Sequence, residues 1–163
     1  MQKLYLDCDG VILDTISKSY KMLQEKKLTT EKEVREFYSS ICWETLIIES
    51  GEIDNSINKI KELKKYYDIE ILTHINSENE IKAKLKYFSA VLPDINVITV
   101  PKEIKKADFV DPKDAILVDD YLLNLEYWNE KGGIPVKFSD TGKKCAFTVI
   151  TDLLELINLN IKN

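Results

Sequence analysis

The stretch Leu4-Tyr5-Leu6-Asp7-Cys8-Asp9-Gly10 decides the fold. Three apolar residues run into two acids and a glycine, the pattern of a buried strand feeding a turn. Similar runs recur at residues 69–73, 97–100, 115–119 and 134–138. They are rich in Ile and Val and mostly lack polar alternation, as in strands covered on both faces of a parallel sheet. Helical patterns lie between them. Ile57, Ile60 and Leu63, followed by Tyr67, share one face. Ser77-Glu78-Asn79-Glu80 reads as a capping box opening a helix with Ile81, Leu85 and Phe88 inward. Residues 121–131 carry Leu122, Leu125 and Trp128 and stop at Gly132-Gly133. Residues 151–160 form the last helix, with Leu153, Leu154 and Ile157 inward. Strands alternating with helices predict an α/β fold, a doubly wound parallel sheet of five strands with right-handed crossovers.

One stretch breaks the rhythm. Roughly fifty residues separate the first strand from the helix before the second, far more than one crossover needs. They hold helix candidates at 17–26, at a capping box Thr30-Glu31-Lys32-Glu33, and at 43–48. This is a small helical insertion over the C-terminal end of the sheet. The expected division is a core of residues 1–15 and 68–163, with residues 16–67 inserted as a cap whose last helix leads back into the core.

The chain has 163 residues, 44% hydrophobic and 31% charged, which suits one domain with a true core. A net charge of -5 argues against a broad electrostatic grip on a nucleic-acid polymer. The single histidine, His74, excludes zinc sites built on a histidine pair. Cys8, Cys42 and Cys145 form no CxxC pair and read as reduced thiols. The apolar run at 4–6 is too short for a signal peptide or a membrane span, so the expectation is a soluble, cytoplasmic protein without membrane contact.

Three separated signals converge. Asp7 and Asp9 follow the first strand, Thr73 ends the second, and Asp119-Asp120 end the fourth. In an open α/β sheet, ligands bind outside the carboxyl ends of the strands. Strands one, two and four are neighbours if the strand order reverses beside strand one. Four close carboxylates repel one another unless a cation joins them, and a hard divalent cation such as Mg²⁺ fits all-oxygen ligands. Such a cation also draws phosphate oxygens into the site. One Asp can then serve as nucleophile and form an aspartyl-phosphate, while an acid two residues on protonates the leaving oxygen and activates water.

Taken in order, Asp7-Cys8-Asp9-Gly10-Val11, Thr73 after an apolar strand, a lysine near 106, and Asp119-Asp120 resemble the four motifs of the haloacid dehalogenase (HAD) superfamily. The likeness spans nearly the whole chain. Leu117-Val118-Asp119-Asp120, followed by Asn124, Trp128 and Gly132-Gly133, is further similar to the 5'(3')-deoxyribonucleotidase branch, which also carries a small helical cap after its first motif. The resemblance implies Asp7 as nucleophile and Mg²⁺ ligand, and Asp9 as general acid/base ligating the metal through its backbone carbonyl. It implies Asp120 as a direct ligand, with Asp119 acting through water or orienting a ligand. Thr73 and the lysine would bind the phosphoryl group. Gly10 is a further candidate at the substrate, and His74, which follows Thr73 at the crevice, is a candidate substrate contact or a structural hydrogen-bonding residue. Lys106 is favoured because Lys106-Ala107-Asp108 looks like the third motif; Lys105 is the runner-up and Lys102 a further candidate. His74 is a departure, since the branch more often has a small hydroxyl residue and proline after this threonine.

The implied partner is a small phosphorylated substrate, a nucleoside monophosphate, with a second copy of the chain as a candidate to cover an open site. Other readings are a phosphatase for another small metabolite and a non-enzymatic, receiver-like Mg²⁺-binding module. An early Asp-x-Asp, a late acid pair and the long insertion favour an enzyme. Several residues have plainer readings. Asp14 suits an N-cap, Cys8 the core, and at least two of Phe37, Tyr38 and Trp43 the insertion's own packing.

Overall fold

The computed structural model describes residues 1–159. The strands are β1 (Gln2–Leu6), β2 (Tyr67–Ile75), β3 (Asn96–Pro101), β4 (Ile116–Asp119), β5 (Ile134–Phe138) and β6 (Thr148–Ile150). They form one sheet in the order β3-β2-β1-β4-β5-β6, with every pair parallel. Strand order reverses beside β1, which lies between β2 and β4, so the ends of these three strands share one edge. The sheet has six strands rather than the expected five. The added β6 is three residues long, borders only β5, and is too short for a periodic signal.

Alternate residues along each strand feed two apolar layers. Leu4, Leu6, Ile69, Ile71, Ile116 and Val118 join one; Tyr5, Leu72 and Leu117 join the other. Burial on both faces is why these strands lack polar alternation. The second layer centres on Trp128, which is fully buried, donates from Nε1 to the Ala115 carbonyl at 2.9 Å and meets Tyr5 edge-on at 5.4 Å. A Cβ on Gly133 would stand 2.3 Å from the Trp128 ring, so only glycine lets β5 begin there. Truncating a buried tryptophan of this kind costs about 3–5 kcal/mol.

The helices are α1 (Thr15–Glu25), α2 (Glu31–Ser40), α3 (Trp43–Ser50), α4 (Ser56–Leu63), α5 (Glu78–Val91), α6 (Lys106–Phe109) and α7 (Leu122–Glu130), with a closing 3-10 helix at Leu153–Asn158. The expected last helix at 151–160 is thus the shorter 3-10 element, and Asn160 lies outside the described residues. At α2 the capping box forms in full: Thr30 Oγ1 accepts from the Glu33 amide and the Glu33 carboxylate accepts from the Thr30 amide. Asp14 occupies the N-cap position of α1, but its side chain makes no capping hydrogen bond. In the first layer α3 packs against α1 and α5, while α4 packs against the closing 3-10 helix. No helix of the described residues is long and apolar enough to cross a membrane.

The inward face of α5 differs from expectation. Leu85 is 43% exposed, and the buried positions are Glu80, Ala83, Lys84 and Phe88. Ser77 does cap the helix, accepting from the Glu80 amide. The Glu80 carboxylate, however, accepts from the Asn76 amide at 2.6 Å and from the Asn76 side chain at 2.9 Å, instead of closing a box onto Ser77. Two charged residues hold the core side of this helix because polar partners wait for them there.

Candidate active site

Asp7 leaves β1 with its amide bonded to the Val118 carbonyl of β4 at 2.9 Å, which carries the first strand's register into the acidic turn. Gly10 follows at φ +81°. A Cβ there would lie 2.3 Å from Asp120 Oδ2, so the residue must lack a side chain for the two acidic turns to meet. Carboxylate oxygens of Asp7, Asp119 and Asp120 then stand within 4.8 Å of one another.

Lys106, the first residue of α6, joins this cluster. It is 1% exposed, with Nζ 2.6 Å from Asp7 Oδ1 and 2.7 Å from Asp119 Oδ2. Of the three candidate lysines only this one reaches the acids: Lys102 lines the cavity above, and Lys105 lies 3.5 Å over the Tyr127 ring. Asp119 is fully committed. Oδ1 accepts from the Tyr121 amide and Oδ2 from Asn124 as well as Lys106. It therefore orients its neighbours and holds the entry to α7. Asp120 is less engaged; its backbone carbonyl accepts from Lys137.

Burial pushes the Asp7 carboxyl up to about 8, against the pull of Lys106 and with the help of Asp119, Asp120 and Asp9. Burial and Asp119 likewise raise Asp120 to about 6. A buried and a half-buried acid, driven toward their protonated forms by burial and by neighbouring carboxylates, mark a place where a cation would relieve repulsion. The donor set is all carboxylate oxygen, which fits a hard ion such as Mg²⁺.

Asp9 sits in a second cluster. Its Oδ1 accepts from Thr15 at 2.6 Å and its Oδ2 from Lys84 at 2.5 Å. Burial opposes ionisation, but the Lys84 charge and these two hydrogen bonds hold its carboxyl below the usual range. Lys84 also donates to Thr73 Oγ1 at 2.8 Å and to the His74 carbonyl at 3.1 Å. Glu80 Oε1 lies 2.7 Å from the same nitrogen, an ion pair without hydrogen-bond alignment. Burial would lower the Lys84 pKa; Asp9 and Glu80 outweigh it and hold the ammonium charged. Thr73 is fully buried, its hydroxyl donating to the His74 carbonyl.

A cavity of about 530 Å³ opens above both clusters, within the range of small-molecule sites. Asp7, Asp9 and Asp120 form part of its floor, His74 and Lys102 one wall, and Tyr38 and Trp43 another. Those two rings lie 28° from parallel at 6.3 Å between centroids. Phe37 and Trp43 are buried in the first apolar layer, together with sheet residues, whereas Tyr38 is half-buried. His74 Nε2 donates to the Ile104 carbonyl at 2.8 Å, the only role a carbonyl leaves it, and burial holds its pKa at about 4, so the ring is neutral. Cys8, between the two acids, points into the core and is fully buried.

The structure thus brings Asp7, Asp9, Thr73, His74, Lys106, Asp119 and Asp120 to one edge of the sheet. Gly10 stands apart from the cavity. It lines a neighbouring depression beyond Asp120, with Asp14 and Lys137. Sequence reasoning missed Lys84, Glu80 and Thr15. The sole signal for Lys84 was its spacing of four from Glu80, which exposed helix pairs share.

No family model matches the chain, and no curated protein matches it. Solved structures do. A magnesium-bound HAD-hydrolase, YfnB from Bacillus subtilis, superposes with a TM-score of 0.67 at 16% identity, over 98% of this chain and 99% of that one. A HAD phosphatase from Thermococcus onnurineus gives 0.64 at 15% identity, over 97% of each chain. A dehalogenase gives 0.63 at 15% identity, over 100% of this chain and 98% of that one. The fold is that of HAD-superfamily hydrolases.

Proposed function

We propose that the protein is a Mg²⁺-dependent phosphomonoester hydrolase that works through an aspartyl-phosphate on Asp7. One observation carries the reading: Lys106 holds Asp7 and Asp119 at 2.6 and 2.7 Å beside Asp120, with Asp9 two residues from Asp7 at the same strand edge. Asp7 and Asp120, with the Asp9 backbone carbonyl, would hold Mg²⁺, and Asp119 would orient the set. Bound there, the ion supplies positive charge that neutralises the acids and the substrate's phosphate oxygens.

The chain's own residues do the rest. Lys106 keeps Asp7 Oδ1 fixed, so an Asp7 oxygen meets phosphorus from a set direction. Asp9, ionised in the free protein, takes the proton of the bound phosphate monoanion; as the new O–P bond forms, the ester O–P bond breaks and the leaving oxygen receives that proton from Asp9. A water molecule then attacks phosphorus and gives its proton to Asp9. The bond to Asp7 breaks, and inorganic phosphate leaves with the carboxylate restored. Thr73 contributes its hydroxyl to the phosphoryl oxygens once its O–H turns from the His74 carbonyl. The insertion at 16–67 acts as a cap.

The substrate we propose is a nucleoside monophosphate. The half-buried Tyr38 ring in the cavity wall suits a flat base, which stacks on aromatic faces. A dehalogenase is the second reading, favoured by the dehalogenase of the same fold. Lys106 and the acid cluster argue for a phosphoryl substrate instead, since a carbon–halogen bond gives no use to a cation site.

The deciding experiment is a panel of 5'- and 3'-nucleotides, sugar phosphates, an aryl phosphate and a 2-haloacid, each with Mg²⁺ and with EDTA. Phosphate release from nucleotides above the other esters, abolished by EDTA and by Asp7→Asn, is expected. Sugar phosphates matching nucleotides would remove the nucleotidase reading alone. Halide release without phosphate release, or full activity in Asp7→Asn, would overturn the whole proposal.

A further inference from the structure

Lys84 lies on the second turn of α5 and is fully buried. Taking an ammonium out of water costs several kcal/mol, so its partners must account for its presence. Its hydrogen-bond and ion-pair contacts come from three segments, Asp9 after β1, Thr73 and His74 within β2, and Glu80 on its own helix, and its ammonium also lies 5.3 Å from the centre of the Trp43 ring. A pair with Glu80 alone needs no burial, and a core position would accept methionine. What only a cation achieves here is to bind the Asp9 carboxylate and the Thr73 hydroxyl at a single point, 2.5 and 2.8 Å away. Thr15 grips the other Asp9 oxygen at 2.6 Å, so rotation of that carboxylate is fixed from both sides.

We propose that Lys84 is a positioning residue for proton transfer, setting the Asp9 carboxyl against the oxygen that links the leaving group to phosphorus. This rests on the phosphatase reading. In that step the ester O–P bond breaks, the proton that Asp9 has taken from the bound phosphate monoanion passes to the leaving oxygen, and an Asp7 oxygen bonds to phosphorus. A nitrophenolate leaves readily without the proton; an alkoxide does not. Misplacing Asp9 therefore harms alkyl esters more than aryl esters, and kcat/KM reports it because that constant stops at the first irreversible step.

Removing Lys84 alone would strand Asp9 and Glu80 as buried charges, so Lys84→Met is made together with Glu80→Gln and compared with Glu80→Gln by itself. With the full chain and Mg²⁺, kcat/KM is measured for p-nitrophenyl phosphate and for the better of a nucleoside 5'-monophosphate and a sugar phosphate. The alkyl ester is expected to lose at least about tenfold more than the aryl ester, from a share of the acid–base contribution. Equal losses overturn the proposal, since a merely structural lysine would slow both alike. If the wild type turns over neither ester, the phosphatase reading fails by itself. A crystal structure of the double variant then decides the positioning claim: an Asp9 carboxylate turned away from Thr73 supports it, and one left in place refutes it.

Discussion

Two buried lysines stand on either side of the proposed reaction centre, and they differ in how they got there. Lys106 opens a one-turn helix just past a strand and ties together two acids that leave neighbouring strands, β1 and β4. Lys84 rides on a fourteen-residue helix and ties the other acid of the β1 turn to β2. Each ammonium bridges β1 to one of its two partners in the sheet. A parallel sheet delivers its functional groups at strand ends with nothing between them, and here two cations fill the gaps left and right of the central strand.

The contrast can be broken at its strongest point. Lys106→Met leaves Asp7 and Asp119 buried without a counter-charge, so a stability loss of about 3–5 kcal/mol is expected in denaturant titration without metal. Turnover should fall on the order of 10²–10³, as when one preorganised charge donor is lost. A variant as stable and active as the wild type would mean that the lysine is a bystander. A smaller effect is expected at Gly10→Ala, where the added Cβ meets Asp120 Oδ2 and φ is +81°. Calorimetric Mg²⁺ affinity should weaken by about 10–100-fold, the usual result of disturbing a ligand's support. Unchanged affinity would place the cation away from Asp120. The smallest effect tests α5 itself. Leu85→Lys, next to the buried lysine but 43% exposed, should change stability by no more than about 0.5 kcal/mol. A large loss would mean that the helix is turned differently and that Lys84 faces elsewhere.

The same pair shows how far the sequence can be read. Lys106 was legible because it belongs to a spaced set of strand-end residues, and such sets survive without knowledge of packing. The central strand, its partners and the acid pairs were legible for the same reason. On α5 the rule that apolar residues face inward chose Ile81, Leu85 and Phe88 and put Lys84 outside. Only Phe88 of these is fully buried. A buried lysine–glutamate pair at a spacing of four writes the same letters as an exposed one, and the carboxylate that reverses its orientation, Asp9, is seventy-five residues away. Thr-Val-Ile at β6 was invisible for a different reason: three residues beside one partner strand have no period to detect.

The placement of β1 also bears on biosynthesis. Residues 2–6 leave the ribosome before either strand that flanks them, and Leu4 meets Ile116 only after more than a hundred further residues have been made. The nascent chain therefore carries Leu4 and Leu6 unpaired until β2 has been made. Assembly closes around β1 late, from long-range pairings that are slow to find.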